Sequence, residues 1–292
     1  MRVSLSLTNY SWLEPPGDAL AGIAHAADAS NIDTLWVADH LIQADPTAPP
    51  GDDEILEAFT TLGFIAAETT RIRLGAMVSG VIFRPPAVLI KAVTTLDVLS
   101  GGRTWFGIGA GHHDGEAKAL GLPFPPVAQR LDQVEETLQL ASRMWRGDRR
   151  PFAGKQFRLD DPQASPAPVR PGGPPILIGG AGERRTLRLV ARYADACNIF
   201  DIPDGGRTVR HKLDVLARHC AELGRPYAEL EKTMSTRLEP QETADEFVRR
   251  GAAAGELGID HLVVVMSGPW TLDAVHTLAD AAVALGEIDA AV

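Results

Sequence analysis

Short runs of aliphatic and β-branched residues alternate with helical patterns along most of the chain. Eight strand-like runs occupy residues 3–7, 34–37, 72–78, 104–108, 176–178, 196–200, 232–236 and 261–265. The stretches between them repeat apolar residues every three or four positions, as at Leu131, Val134, Leu138 and Ala141. That spacing is typical of one face of an amphipathic helix. An α/β chain with this continuous alternation favours a closed (β/α)8 TIM barrel, and 292 residues suit that fold, which typically needs roughly 250.

Residues 72–111 form the clearest strand–helix–strand unit. Pro85 and Pro86 open the helical pattern, residues 100–102 (Ser-Gly-Gly) end it, and the second strand runs into Gly109-Ala110-Gly111. A right-handed crossover of this kind predicts parallel strands. The small residues at both strand ends would let a flat or anionic ligand come close to the backbone.

Residues 147–175 interrupt the alternation because they are rich in proline, glycine and arginine and lack a helical period. The segment is longer than an ordinary connection between a helix and a strand. Both of its flanks belong to the same alternation, so we expect one domain over residues 1–292 with an insertion before strand five. A small hairpin around residues 152–157 is expected within it.

The net charge of −10 and a pI of about 5.3 argue against a general nucleic-acid or anionic-membrane binder. A small anionic ligand stays possible, because a few arginines or backbone amides suffice to bind one. The apolar runs are too short for a membrane span, and the first ten residues are too short and polar for a signal peptide. Cys197 and Cys220 show no metal or redox spacing and suggest two buried thiols. We therefore expect a cytoplasmic protein.

The carboxyl ends of the strands carry the candidate chemistry, because α/β barrels place their active sites there. His40 lies three residues beyond the second strand and is a candidate proton donor or acceptor. It could equally be a histidine packed at a helix start. Asp39 could orient His40, bind a ligand or cap the next segment.

Two short glycine-rich turns, Gly109-Ala110-Gly111 and residues 179–182 (Gly-Gly-Ala-Gly), each precede a predicted helix. Exposed amides in such turns bind phosphate or carboxylate groups, although each turn could simply be a tight connection. The first does not complete a G-x-G-x-x-G fingerprint, because His112 takes the sixth place. His112, His113 and Asp114 invite a metal site, but the first strand offers no H-x-H pair, so no metal is expected.

Several motifs together resemble the luciferase-like monooxygenase superfamily, and within it the actinobacterial oxidoreductases dependent on the deazaflavin coenzyme F420. They are Asp39-His40 after a W-V-A strand, L-G-x-x-V-x-G-x-x-F-R-P-P-A, L-D-V-L-S-G-G-R, G-I-G-A-G, and P-P-I-L-I-G-G-A-G-E-R-R-T-L. The resemblance runs from Met1 to about Leu285. It implies a (β/α)8 barrel, a homodimer and a cofactor lying across the strand ends.

The resemblance also implies roles for individual residues. His40 would move a proton. A non-proline cis peptide would lie at Met77-Val78, or one bond away, behind the cofactor ring. The cofactor-binding set it implies is Asp39, Met77, Val78, Gly80, Ala110, Gly111, Gly115, Gly179, Gly180 and Ala181. In the sugar-phosphate dehydrogenase branch a glutamate base follows the strand-four glycine. Here that position is His112, which could replace the base or merely line the pocket, so a sugar phosphate is not the expected substrate.

Hydride transfer between F420 and a small organic substrate is the function that this resemblance implies. The alternatives are an FMN-dependent monooxygenase on the same barrel, a cofactor-binding protein without turnover, and a metal-dependent hydrolase. The predicted lining of the substrate pocket is mixed aromatic and polar, which suggests a moderately apolar molecule. It comprises Tyr10, Trp12, residues 43–53, residues 147–175 and Trp270.

Overall fold

The computed structural model describes residues 1–45 and 48–290. Two positions of the predicted 43–53 loop, 46 and 47, and the last two of the chain lie outside the described residues. The strands are β1 (Arg2–Leu7), β2 (Thr34–Val37), β3 (Arg73–Ala76), β4 (Ser79–Gly80), β5 (Thr104–Gly109), β6 (Phe152–Ala153), β7 (Arg158–Leu159), β8 (Ile176–Gly179), β9 (Ala196–Phe200), β10 (Glu231–Arg237) and β11 (His261–Val265).

The helices follow the predicted alternation. They are α1 (Pro16–Asp28), α2 (Ala58–Glu68), α3 (Pro86–Leu99), α4 (Asp114–Ala119), α5 (Val127–Trp145), α6 (Thr186–Tyr193), α7 (Arg207–Leu223), α8 (Ala244–Glu256) and α9 (Leu272–Ala290), with a 3₁₀ turn at Tyr227–Glu229. Pro85 and Pro86 begin α3 as expected, because a proline in the first turn loses no helical hydrogen bond. Within residues 1–45 and 48–290, no helix is both long and apolar enough to cross a membrane.

Eight parallel strands close into a ring in the order β1, β2, β3, β5, β8, β9, β10 and β11. Pairing of Leu74 with Thr104 and of Gly75 with Trp105 joins β3 to β5 and completes the cylinder. The predicted (β/α)8 barrel is therefore confirmed. Because all eight strands are parallel, their carboxyl ends form one rim, which we call the C-terminal rim.

The third predicted strand differs from its expected range. Residues 72–78 were predicted as one strand, but β3 ends at Ala76 and the short β4 resumes at Ser79, pairing with β5. A cis peptide bond joins Met77 to Val78 between them. The implied cis peptide is therefore confirmed at the first of its expected positions.

A separate apolar cluster fills the interior of the barrel. It comprises Trp36, Trp105, Leu177, Ala196 and Val263, with Met77 and Val78 packed against it. The rings of Trp36 and Trp105 lie 5.9 Å apart. The interior is thus a packed core rather than a pore, and α/β barrels of this kind bind their ligands above it, at the C-terminal rim.

Residues 147–175 contain the expected hairpin, formed by antiparallel β6 and β7. Its turn folds back along α5, where the Glu136 carboxylate accepts hydrogen bonds from the backbone N–H groups of Lys155 (2.7 Å) and Phe157 (2.9 Å). Lys155 also donates to Asp132 on α5, and Asp132 accepts a second charged hydrogen bond from Arg185 in the loop after β8. The hairpin is therefore tied, through one aspartate, to a loop of the C-terminal rim.

Candidate active site

Most of the predicted site residues come together at one sector of the C-terminal rim. Asp39 and His40 follow β2, the Met77-Val78 bond follows β3, and the remaining members follow β4, β5 and β8. These strands are consecutive in the ring, so residues far apart in sequence converge here.

His40 is held by a carboxylate that the sequence did not single out. Its Nδ1 lies 2.7 Å from Oε2 of Glu116, which is on α4 and completely buried. The backbone N–H groups of Leu41 (2.5 Å) and Ile42 (3.3 Å) donate to the other carboxylate oxygen. The His40 side chain keeps 19% of its surface exposed, so part of the ring faces the rim.

Two further histidines surround His40. The His112 ring lies 5.3 Å from the His40 ring and almost perpendicular to it, and the His113 ring lies at 6.4 Å. Burial lowers the pKa of His112, and its interactions with His40 and His113 lower it further, against the opposing effect of Glu116. His112 is therefore neutral at neutral pH, in a form that can accept a proton. Across the described chain, no group of His, Cys, Asp or Glu side chains has an arrangement that could hold a metal ion.

Asp39 pairs with an arginine and not with His40. Arg84 donates to both carboxylate oxygens of Asp39, at 2.7 and 3.0 Å, and also to Glu57. The Arg84 guanidinium stacks over the Phe59 ring at 4.9 Å. Burial raises the pKa of Asp39, and the hydrogen bonds and charge of Arg84 only partly oppose this. Of the roles considered from sequence, orienting His40 and capping the next segment do not occur. Glu57, by contrast, does cap α2.

The position of the Val78 side chain explains why two residues of the rim are glycines. A Cβ atom on Gly109 would lie 2.7 Å from the Val78 side chain, and one on Gly179 would lie 2.8 Å from it. Both contacts are closer than packed carbon atoms tolerate. The side chain that follows the cis bond thus occupies the space that these two glycines leave, so their first role is to accommodate Val78. Val78, Gly109 and Gly179 thus pack together at the rim, and we call these three residues the platform.

Two turns beside this platform present backbone N–H groups without partners. Among the described residues, the N–H groups of Ala110, Gly111 and His112 after β5 donate to no acceptor. The same holds for Gly180 and Ala181 after β8. Gly111 (φ 74°) and Gly180 (φ 102°) have backbone angles that favour glycine. Free amides aimed outward from such turns bind anionic or carbonyl oxygen atoms.

The end of β1 adds polar atoms that lack partners. The Asn9 Nδ2 and the Tyr10 hydroxyl are buried and make no hydrogen bond within the described structure. Burial raises the pKa of Tyr10, so its hydroxyl stays protonated at neutral pH. Trp12 donates to the Trp270 carbonyl (2.7 Å). Buried polar atoms usually have partners, so Asn9 and Tyr10 are suited to meeting a ligand.

Sequence reasoning missed Glu116 and Arg84. Glu116 lies four residues after His112 in a short helix that was not predicted as a separate element. Arg84 belongs to the F-R-P-P segment, which contributed only to the family resemblance and was given no role in the site. Nothing in the linear pattern links either residue to His40 or Asp39. A buried ion pair is visible only once the strand ends are placed side by side.

Comparison with known proteins agrees with this architecture. A family model described as luciferase-like monooxygenase matches residues 1–261. The F420-dependent glucose-6-phosphate dehydrogenase of Kineococcus radiotolerans is 28% identical over 227 residues, which cover 75% of this chain and 63% of that protein. The chain thus matches just under two thirds of that relative's length.

Two solved structures share the fold over nearly their whole length. An F420-dependent secondary alcohol dehydrogenase, solved with an F420-acetone adduct, has a TM-score of 0.81 at 18% identity and covers 98% of this chain and 99% of its own. The monooxygenase RslO1 from Streptomyces bottropensis has a TM-score of 0.82 at 16% identity, covering 99% and 100%. The barrel, its rim and the family match together show that this chain belongs to the luciferase-like monooxygenase family.

Proposed function

We propose that this protein is an oxidoreductase that transfers a hydride between coenzyme F420 and a small organic substrate, with His40 as the proton donor or acceptor. The observation that carries the proposal is the His40–Glu116 pair, which holds a partly exposed imidazole beside the platform. The F420-dependent relative and the F420-dependent neighbour in structure support the choice of cofactor.

The residues present fit a planar cofactor with an anionic tail. Met77, Val78 and Gly80 would lie behind the ring, and the free amides of Ala110 and Gly111 would meet its polar edge. Gly115, at the start of α4, and Asp39, fixed by Arg84, complete this side.

The loop after β8 would hold the phosphate. The N–H groups of Gly179, Gly180 and Ala181 lie just before the start of α6, where the helix dipole favours negative charge. When bound, the deazaflavin supplies a carbon centre that gives or takes a hydride, and carbon at that position disfavours oxygen chemistry.

The chain itself supplies positioning and proton transfer. His40 would donate a proton to the substrate oxygen, or accept one from it, through the ring nitrogen that faces the rim. Neutral His112 would line the opposite side and could take up a proton in turn. Alignment of the two reacting carbons would supply most of the rate enhancement and could lower the activation barrier by up to ~7–11 kcal/mol.

The substrate proposed is a moderately apolar alcohol or carbonyl compound rather than a sugar phosphate. His112 stands where the resemblance places a glutamate base in the sugar-phosphate branch, so the base of that branch is absent from this position. The buried Tyr10 and Trp270 and the partly buried Trp12 form an aromatic cluster near the end of β1. We further propose that the protein is cytoplasmic and forms a homodimer. Sedimentation of the purified protein would test the oligomeric state.

A titration of the cofactor-free protein with F420 and with FMN tests the proposal directly. We expect tighter binding of F420, followed by reduction of bound F420 by a secondary alcohol. FMN-dependent oxygenation is the competing function, because monooxygenases share this fold. Preferential binding of FMN with oxygen consumption would establish it. Binding of F420 without turnover on any alcohol or carbonyl compound would favour a binding protein.

A further inference from the structure

Glu116 is a buried carboxylate whose closest partners all belong to one three-residue segment. Its Oε1 accepts from the backbone N–H groups of Leu41 and Ile42, and its Oε2 lies 2.7 Å from Nδ1 of His40. The side chain has no exposed surface. It lies 76 residues from His40 in sequence, on a different element.

The chemistry of these contacts determines which nitrogen of His40 carries hydrogen. An ionised carboxylate only accepts hydrogen bonds, and three N–H donors compensate for burying its charge. Nδ1 of His40 must then be the donor. Nε2 is left as the nitrogen that gains or loses a proton. Phe83 and His112, both in edge contact with the ring, restrict its rotation.

We propose that Glu116 is a positioning residue that keeps His40 in the tautomer with hydrogen on Nδ1 and directs Nε2 toward the substrate. This proposal rests on the proposed function of His40. It goes further by assigning a task to a residue other than His40 and His112. Glu116 would act through His40 and would not itself touch the substrate.

The substitution Glu116→Gln separates this task from simple support of the loop. Glutamine keeps a carbonyl oxygen for Leu41 and Ile42, so the segment stays anchored. It presents an NH₂ group to His40, however, and a donor facing Nδ1 forces the hydrogen onto Nε2. The variant should therefore fold normally and hold His40 in the wrong tautomer.

Nitrogen NMR of ¹⁵N-histidine-labelled, cofactor-free protein reads the tautomer without any turnover. At about pH 9, well above the ordinary pKa of histidine, we expect hydrogen on Nδ1 of His40 in the wild type and on Nε2 in E116Q. With cofactor and substrate, kcat of E116Q should fall about 10²-fold while cofactor affinity is unchanged.

The matched control is Glu68→Gln. Glu68 forms an exposed pair with His25 (2.9 Å) between α2 and α1, away from the rim. It should change neither the His40 signal nor kcat.

Each result has a distinct meaning. Hydrogen on Nε2 of His40 in the wild type would overturn the proposal even if E116Q failed to fold. An unchanged tautomer or unchanged kcat in a folded E116Q would overturn it as well. If the wild type turned over no substrate with F420 or FMN, the proposed function would fail, whereas the tautomer measurement would still decide whether Glu116 sets the state of His40.

Discussion

Both ends of the barrel hold a histidine–glutamate pair, and the two pairs have different surroundings. At the N-terminal end, Nδ1 of His261 lies 2.6 Å from Glu231, which also pairs with Arg2 at 2.7 Å. His261 has no exposed surface. At the C-terminal rim, the His40–Glu116 pair has no arginine or lysine partner among its described contacts, and the imidazole stays partly exposed.

Asp33 and Glu231 at the N-terminal end differ from Asp39 at the rim in the direction of their pKa shifts. Burial opposes ionisation of Asp33 and Glu231, but the charges of His261 and Arg73 outweigh it and lower both pKa values. At the rim, burial raises the pKa of Asp39 in spite of Arg84. The charge of Asp39 is thus incompletely compensated, and perturbed pKa values of this kind are common at functional sites.

Cavity size alone would favour the N-terminal end of the barrel, opposite the proposed site. A cavity of about 850 Å³ lies at the N-terminal end, lined by Arg2, Trp105 and Lys232 among others. Its two basic residues and their partners are already paired, since Arg2 contacts Glu231 and Lys232 contacts Asp260. The comparison teaches that the unpaired amides and the partly exposed imidazole favour the C-terminal rim as the site, whereas volume alone favours the opposite end.

The largest effect is expected from His40→Ala at the C-terminal rim. We expect kcat to fall by about 10²–10⁴-fold because the proton donor is lost, while cofactor binding is retained. Steady-state kinetics and a binding titration measure the two effects, and His25→Ala, an exposed histidine on α1, is the control. Unchanged turnover would remove His40 from the mechanism.

His261→Ala should have the reverse effect. It removes the buried partner of Glu231, which then keeps only the partly exposed Arg2, so the free energy of unfolding should fall by about 3 kcal/mol. The substitution lies at the opposite end from the rim, so cofactor affinity should not change. Denaturant unfolding measures the loss, with His276→Ala on the outside of α9 as the control. A large loss of cofactor affinity in a folded H261A protein would contradict the division of roles.

A smaller effect separates backbone strain from ligand binding. Gly180 and Gly172 have similar angles, φ 102° and φ 91°, and a Cβ on either would meet no close atom. Alanine at either position should therefore cost about 1–2 kcal/mol of stability. Only Gly180→Ala should also weaken cofactor binding, by roughly tenfold, or ~1.4 kcal/mol. Equal affinities of the two variants would argue against a phosphate site after β8.

The smallest effect expected is on the pH dependence of stability. Asp33 and Glu231 have lowered pKa values in the folded state, so they stabilise the fold above their unfolded pKa values, which are about 4. That contribution is lost as the pH falls through their folded values. Asp39 behaves oppositely, since its raised pKa favours protonation in the folded state. When unfolding is measured at a series of acidic pH values, the free energy of unfolding should fall less steeply with pH in Glu231→Gln than in the wild type.

The sequence by itself determined the barrel. Strand and helix periods are local properties, so all eight ring strands could be predicted within a few residues. The family motifs added the position of the cis bond, and the rule that sites lie at strand ends selected His40. The exception was residues 72–78, where the backbone turns between Ala76 and Ser79 without any change in the apolar pattern.

Only the tertiary structure decided which residues of the site contact each other. Asp39 accepts from Arg84, which is 45 residues away, and His40 pairs with Glu116 on a helix that follows β5. Gly109 and Gly179, taken from sequence as openings for a ligand, first make room for Val78. Such pairings depend on closure of the ring, which brings strand ends together regardless of their separation in sequence. A hydrogen bond or a steric contact needs that proximity, and no periodicity along the chain encodes it.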